Sequence, residues 1–313
     1  MLVVMALAGA SIANAASNGP VRIGENDWTG QWVSINLAKV ILEDHMDQDV
    51  ELVFIDYPAQ WAALASDDLD VGMEMWPSYS YDAHKEWIDE KRKVEVVGDL
   101  GVIGETGWYV PTYVVEGDPE RGIEPMAPDL KSYQDMNKYS ELFKRPETGD
   151  KGFCLDAVAS WQAHNGERLE SLELDYVNVF AGTEGAFFAE IEAAYAKGEP
   201  LMLCYAWKPH WMFAKYDLTE IELPPYTDEC YGLGEQSADY ACDFPDDELY
   251  IISRAGFKDD YPEAHQFLAN LNLPTEAQEW MIFQIDQKGM TPEQAVRAWM
   301  ADNEDVWRPW LPN

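Results

Sequence analysis

The stretch Val21-Arg22-Ile23-Gly24-Glu25-Asn26-Asp27-Trp28-Thr29-Gly30, read on through Val50-Glu51-Leu52-Val53-Phe54-Ile55 to Leu69-Asp70-Val71-Gly72-Met73-Glu74-Met75-Trp76-Pro77, decides the fold. The three apolar runs are short enough to be strands. Between the first and second, Gln31 to Asp44 carries Trp32, Ile35, Leu37, Val40 and Ile41 at helical spacing, and Pro58 to Ser66 reads as a second helix. Strand, helix, strand, helix, strand predicts a parallel sheet with crossover helices. Ligands of such sheets bind beyond the carboxyl ends of the strands, which is where Trp28 and Trp76 fall.

A second set follows Tyr113-Val114-Val115. After a loop-rich stretch from Glu116 to Pro146, Gly152-Phe153-Cys154 reads as a strand and Glu184 to Lys197 as an amphipathic helix. Pro200-Leu201-Met202-Leu203-Cys204-Tyr205 is a further strand, running to Trp207. The tail adds the strand Leu249-Tyr250-Ile251-Ile252-Ser253, helices through His265 to Leu268, Glu276 to Gln284 and Thr291 to Met300, and Trp307-Arg308-Pro309-Trp310. An α/β protein of two lobes with a ligand cleft between them is expected. The expected division is 1–15 as an export signal, 16–112 as the first part of lobe 1, 113–224 as lobe 2, and 225–313 as an acidic loop, a return to lobe 1 and C-terminal helices. Tyr113-Val114-Val115 and the return near Pro224 are the expected crossing strands.

Residues 1–16 are an apolar run followed by small residues, and Ala13-Asn14-Ala15 has the form of a signal-peptidase site. The run is too short for a membrane span. Export to the periplasm is expected, and no cysteine stands at the cleavage site, so no lipid anchor is. An oxidising compartment favours pairing of Cys154, Cys204, Cys230 and Cys242, although four cysteines permit three connectivities. Cys230 with Cys242 would close a short polar loop containing two glycines, and Cys154 with Cys204 would then tie two strands. Buried free thiols are the alternative.

Acidic residues number 58 against 21 basic, for a net charge of −37. A phosphate backbone needs a basic footprint, so nucleic acid is excluded as a partner. The charge instead maintains solubility, with a self-repulsion that salt screens.

No H-E-x-x-H, G-x-S-x-G or phosphate-binding glycine loop occurs, and the five histidines are scattered. No cofactor is required and no catalysis is expected. The rival from another class is a tryptophan-rich glycoside hydrolase working through two acids such as Glu74 and Glu105. Pro224 to Glu248 is acidic with no basic residue. Its ordinary reading is a solvated loop, but Asp228, Glu229, Glu235 and Asp239 could collect the oxygen ligands of a structural Ca²⁺, without the EF-hand spacing.

The chain holds 13 tryptophans, and Trp28, Trp76, Trp108, Trp161 and Trp207 stand singly near the ends of strand-like segments. A tryptophan taken alone is usually a packing residue. Several indole faces around one cleft, however, suit a quaternary ammonium ion, a diffuse cation that the negative ring face attracts.

Ala206-Trp207-Lys208-Pro209-His210-Trp211-Met212 resembles the Trp-x-Pro-His-Trp stretch of the substrate-binding proteins for glycine betaine, choline and trimethylamine N-oxide, the receptor subunits of ABC importers. The likeness extends to Asp70 through Pro77, to Gly107-Trp108-Tyr109-Val110-Pro111 and to Tyr261-Pro262-Glu263-Ala264. It implies a two-lobed, type II periplasmic-binding-protein fold that closes on its ligand, a membrane permease as partner, and a monomer. Carried over residue by residue, Trp28, Trp76, Trp161 and Trp207 would box a trimethylammonium head, with Trp108 and Tyr109 competing for one further wall.

The other end of the ligand decides its identity. A betaine carboxylate needs donors, for which the amides after Trp161 and His210 could serve. Choline needs an acceptor, and the resemblance implies an Asp two residues after the first cage tryptophan, where this chain has Gly30. Trimethylamine N-oxide suits a tighter aromatic box with one polar contact, for which Glu105, Glu25 or Asp27 stand nearest by position. Trimethylamine N-oxide is favoured on this reading, glycine betaine next, and choline after it.

Overall fold

Val21, Ile23 and Gly24 are buried in the first strand, β1 (Val21–Glu25), while Arg22 is partly exposed. The computed structural model describes residues 19–233 and 237–312, so the expected export signal over 1–15 lies outside the described residues. The apolar spacing after Trp28 forms α1 (Thr29–Met46), which buries Val33, Leu37, Val40 and Ile41 and ends at Asp47 in a left-handed conformation. The chain then gives β2 (Val50–Phe54), α2 (Ala59–Ala65) and β3 (Val71–Met75). β1 pairs in parallel with β2 on one side and β3 on the other, the expected arrangement.

In the second lobe, β5 (Gly152–Asp156) lies parallel to both β6 (Tyr176–Phe180) and β7 (Leu203–Lys208). Its helix α3 (Glu184–Lys197) has the predicted bounds, because the Thr183 hydroxyl accepts the Ala186 amide at one end and Gly198 takes the left-handed turn at the other. The long β4 (Val94–Pro111), the short β8 (Leu218–Glu220) and the returning β9 (Asp247–Arg254) complete the order β2-β1-β3-β9-β4-β7-β5-β6, with β8 also on β4. The helices α4 (Thr275–Lys288) and α5 (Pro292–Asp302) close back onto α1.

β4 joins the lobes. It pairs with β9 as far as Gly104 and with β7 from Glu105 onward. The expected crossing at Tyr113-Val114-Val115 is therefore corrected: these residues form a short helix, Thr112–Glu116, with the Tyr113 hydroxyl donating to the Glu199 carbonyl of the second lobe at 2.7 Å.

A single buried carboxylate fastens three strands of the first lobe. Asp70 accepts Arg22 Nε and Nη2, each at 2.9 Å, and Arg254 Nε at 2.7 Å. Burial pushes its pKa up, but the hydrogen bonds from both guanidinium groups outweigh that and hold it below the usual value. Both disulfides pair as first expected, Cys154 with Cys204 across neighbouring strands and Cys230 with Cys242.

Candidate ligand-binding site

Seven aromatic side chains line one cavity: Trp28, Tyr57, Trp76 and Tyr79 from the first lobe, Trp161, Tyr205 and Trp207 from the second. Most stand just beyond a strand end. Trp28 follows β1, Tyr57 follows β2, and Trp76 follows β3 with Tyr79 in the next turn, while Trp161 ends the turn after β5. Tyr205 and Trp207 are alternate residues of β7, so both face the same side. The free space between the rings is only about 20 Å³, well below the roughly 300 to 1,000 Å³ of ligand pockets, so the walls stand nearly in contact.

The rings form a connected wall. Trp28 meets Trp161 edge-on at 5.8 Å between centroids, and Trp161 meets Trp207 at 5.3 Å and Tyr205 at 5.8 Å. Tyr205 neighbours Tyr79 at 6.3 Å, which abuts Trp76 at 5.8 Å. The Tyr57 hydroxyl closes the circuit, accepting the Trp76 amide at 3.0 Å and donating to the Trp76 carbonyl at 3.2 Å, with its ring 5.7 Å from Trp28. All seven side chains are buried, so the lobes are closed around the space.

Polar groups hold the wall from behind. Trp28 Nε1 donates to Glu74 Oε1 at 2.6 Å, and Trp161 Nε1 crosses between lobes to Asp27 Oδ1 at 2.8 Å. Tyr79 donates to Thr106 Oγ1, and its turn is pinned by the Ser78 amide and hydroxyl, both donating to Asp247. Trp76 lies flat over Gly104, where an added Cβ would come within 2.4 Å of the ring. Burial raises the Tyr79 and Tyr205 hydroxyls far above their ordinary pKa, so both remain protonated donors.

A second contact between lobes lies behind Trp207. Glu184 Oε2 accepts the Thr29 amide at 3.0 Å and lies 3.1 Å from the Thr29 hydroxyl, which also lies 2.9 Å from Asp286 Oδ1. Trp211 Nε1 donates to Asp286 Oδ2 at 2.7 Å. One hydroxyl hydrogen cannot serve two carboxylates. Burial and the neighbouring Asp286 raise Glu184 to about 8, so at neutral pH the protonated form of Glu184 is favoured. His210 stays neutral, pushed down to about 3 by burial, with Nδ1 accepting the Met212 amide.

The four boxed tryptophans of the sequence reading thus share the cavity wall, while the other expected contacts lie off it. Trp108 is fully buried and donates from Nε1 to Asn165 Oδ1. Tyr109 packs edge-on against Phe213 at 5.2 Å. Glu105 is exposed and pairs with its strand neighbour Lys208 at 2.7 Å, and His210 sits behind Trp207, stacked on Phe188. Neither Glu74 nor Glu105 lines the cavity, so the pair imagined for glycoside hydrolysis does not meet there. Sequence reasoning missed Tyr57, Tyr79 and Tyr205; the signal for the last was its alternation with Trp207 on one strand.

The calcium expectation has no support. Among the described residues no group of three or more His, Cys, Asp or Glu could hold a metal ion. Asp228 accepts the Tyr226 hydroxyl and Asp239 the Ala241 amide, the Glu229 carbonyl accepts the Gly232 amide, and Glu235 lies outside the described residues.

Residues 19–302 match the family described as the substrate-binding domain of ABC-type glycine betaine transport systems. The chain belongs to this family. Its members are extracytoplasmic transport receptors rather than enzymes, which bind small quaternary ammonium solutes and deliver them to an ABC permease. The chain is similar to the trimethylamine N-oxide-binding protein of Pelagibacter ubique (strain HTCC1062), 28% identical over 313 residues that cover 99% of this chain and 96% of that one. Among solved structures it resembles lactococcal OpuAC in its closed-liganded conformation complexed with glycine betaine, with a TM-score of 0.72 at 21% identity, covering 94% of this chain and 100% of that one. An ABC-transporter choline-binding protein in complex with choline gives a TM-score of 0.71 at 19% identity, with 93% and 91% covered. The expected type II periplasmic-binding-protein fold is the fold of the family member described here. No helix among the described residues is long and apolar enough to cross a membrane.

Proposed function

We propose that this receptor works in the periplasm, captures trimethylamine N-oxide in the aromatic box and passes it to the permease of an ABC importer. One observation carries the choice of ligand: the seven residues that line the cavity include no Arg, Lys or His. The indole N–H groups of Trp28 and Trp161 are also turned away, toward carboxylates. A betaine carboxylate enclosed here would lose its water with no cation to meet it, and burying an unpaired charge is costly. The N-oxide carries one small oxygen, for which the Tyr205 hydroxyl supplies a donor on the wall, the Tyr79 hydroxyl being given to Thr106. Its methylated nitrogen meets ring faces, and desolvated contacts of that kind contribute about 2 kcal/mol or more.

Isothermal titration calorimetry of the mature protein with trimethylamine N-oxide, glycine betaine and choline in turn tests the reading. Tight 1:1 binding of the N-oxide, at least tenfold stronger than the other two and accompanied by a change in tryptophan fluorescence, is expected. Stronger binding of glycine betaine would reassign the polar end of the site, and silence from all three would overturn the ligand reading.

A further inference from the structure

Glu74 stands out in the first lobe because its backbone is bent to place it. It lies in the left-handed region at φ 60, which a non-glycine residue adopts only at a cost. The strand pairing slips beside it, with a register shift between Gly72 and Met75 against β9. Bulges of this kind re-aim a side chain. Here the side chain is aimed under α1, where the carboxylate collects Trp28 Nε1 at 2.6 Å, Ser34 Oγ at 2.7 Å and Gln278 Nε2 at 2.6 Å. Gly30 makes room for it: a Cβ at that position would stand 2.9 Å from Glu74 Oε1.

We propose that Glu74 is a positioning residue that sets the preference of the box for positive charge, orienting the Trp28 indole through its N–H and placing a buried counter-charge one ring behind the ligand. This rests on the capture of a methylated ammonium head proposed above. The indole N–H can only donate, and its bond to a carboxylate shifts electron density toward the ring face that a cation meets. In so dry a setting the charge acts across the ring with little screening. Glu74 does not line the cavity, so its effect reaches the ligand through Trp28.

The ionisation of Glu74 gives this role a measurable sign. Burial pushes its pKa up to about 7, against the opposing hydrogen bonds of Trp28, Ser34, Gln278 and Trp76. The charged groups on the surrounding elements are engaged elsewhere. Asp27 takes Trp161, Asp286 takes Trp211 and Thr29, Glu184 takes Thr29, Asp247 takes Ser78, and Arg254 takes Asp70. Glu25 ends β1, with a pKa that burial raises, and the Tyr57 hydroxyl is bound to the Trp76 backbone. A cation in the box favours ionised Glu74, so through this group binding releases a proton near neutrality, and the wild type gains on a variant without the carboxylate as pH climbs through about 7.

Fluorescence titrations with tetramethylammonium chloride and with trimethylamine N-oxide, run on the wild type, Glu74→Gln and Gly30→Ala at pH 6 and pH 8, test the proposal. Thermal melts verify that each variant is folded. The ratio of wild-type to Glu74→Gln affinity for tetramethylammonium should be about three- to tenfold larger at pH 8 than at pH 6. Gly30→Ala keeps the charge but displaces it, so it should bind more weakly at both pH values while keeping the pH response. A folded Glu74→Gln whose pH response parallels the wild type overturns the proposal and leaves the function standing. So does an unchanged affinity in Gly30→Ala, which decides the matter should Glu74→Gln not fold. If neither compound binds the wild type, both the proposal and the proposed function fall.

Discussion

Trp161 meets three rings of the box, those of Trp28, Tyr205 and Trp207, and donates to Asp27 across the lobes. Trp161→Ala should weaken trimethylamine N-oxide binding about 10- to 100-fold in fluorescence titration, by the loss of a desolvated ring face. Trp108→Phe is the contrast. It should leave affinity within about a factor of two and lower the melting temperature, because buried Asn165 Oδ1 loses its indole donor and keeps only Arg168. The difference between these two tryptophans was not legible in the sequence. Both stand in strand-rich surroundings, and only the folded chain brings Trp108 to Asn165 and pairs Glu105 with Lys208. The wall tyrosines were hidden for another reason: with 16 tyrosines in the chain, Tyr57 and Tyr79 carry no mark beyond their place in turns after strands.

At the scale of elements, β1, β3 and β9 are held in register by the Asp70 carboxylate between Arg22 and Arg254. Asp70→Asn should cost about 3 kcal/mol in denaturant unfolding, since breaking a buried pair leaves the remaining charges uncompensated. Ligand affinity should change little, as none of the three lines the cavity. The carboxyl is held below its ordinary 3.8, so its contribution is full at neutral pH and is lost as acid takes the pH down through that lowered value. Most elements of both lobes were readable from hydrophobic period and capping. β4 was not, because Gly98, Gly101, Gly104 and Gly107 interrupt its alternation and its pairing with β9 is irregular. Missing that strand displaced the expected crossing to Tyr113, where an apolar run serves a short buried helix instead.

For the whole molecule, closure and protonation are linked through Glu184. Its contacts to Thr29 join the second lobe to the first, and opening the cleft would return the carboxyl to water and to its ordinary value near 4.5. Its raised value belongs to the closed form, so closing takes up a proton between pH 4.5 and about 8. Ligand affinity should be greatest below that window and fall as pH rises through it, by up to about tenfold per unit. Glu184→Gln should flatten this fall when affinity is followed by titration at successive pH values. The trend opposes that of Glu74, and comparing each variant with the wild type separates them. Trp76 ties the same movement to release. Its indole rests on Gly104, the last residue of β4 to pair with β9 before the strand crosses to β7. The connecting strand is thus also the sill beneath one wall. A twist that parts the lobes would bend the strand beneath Trp76, so that opening the cleft and loosening the box would be one movement.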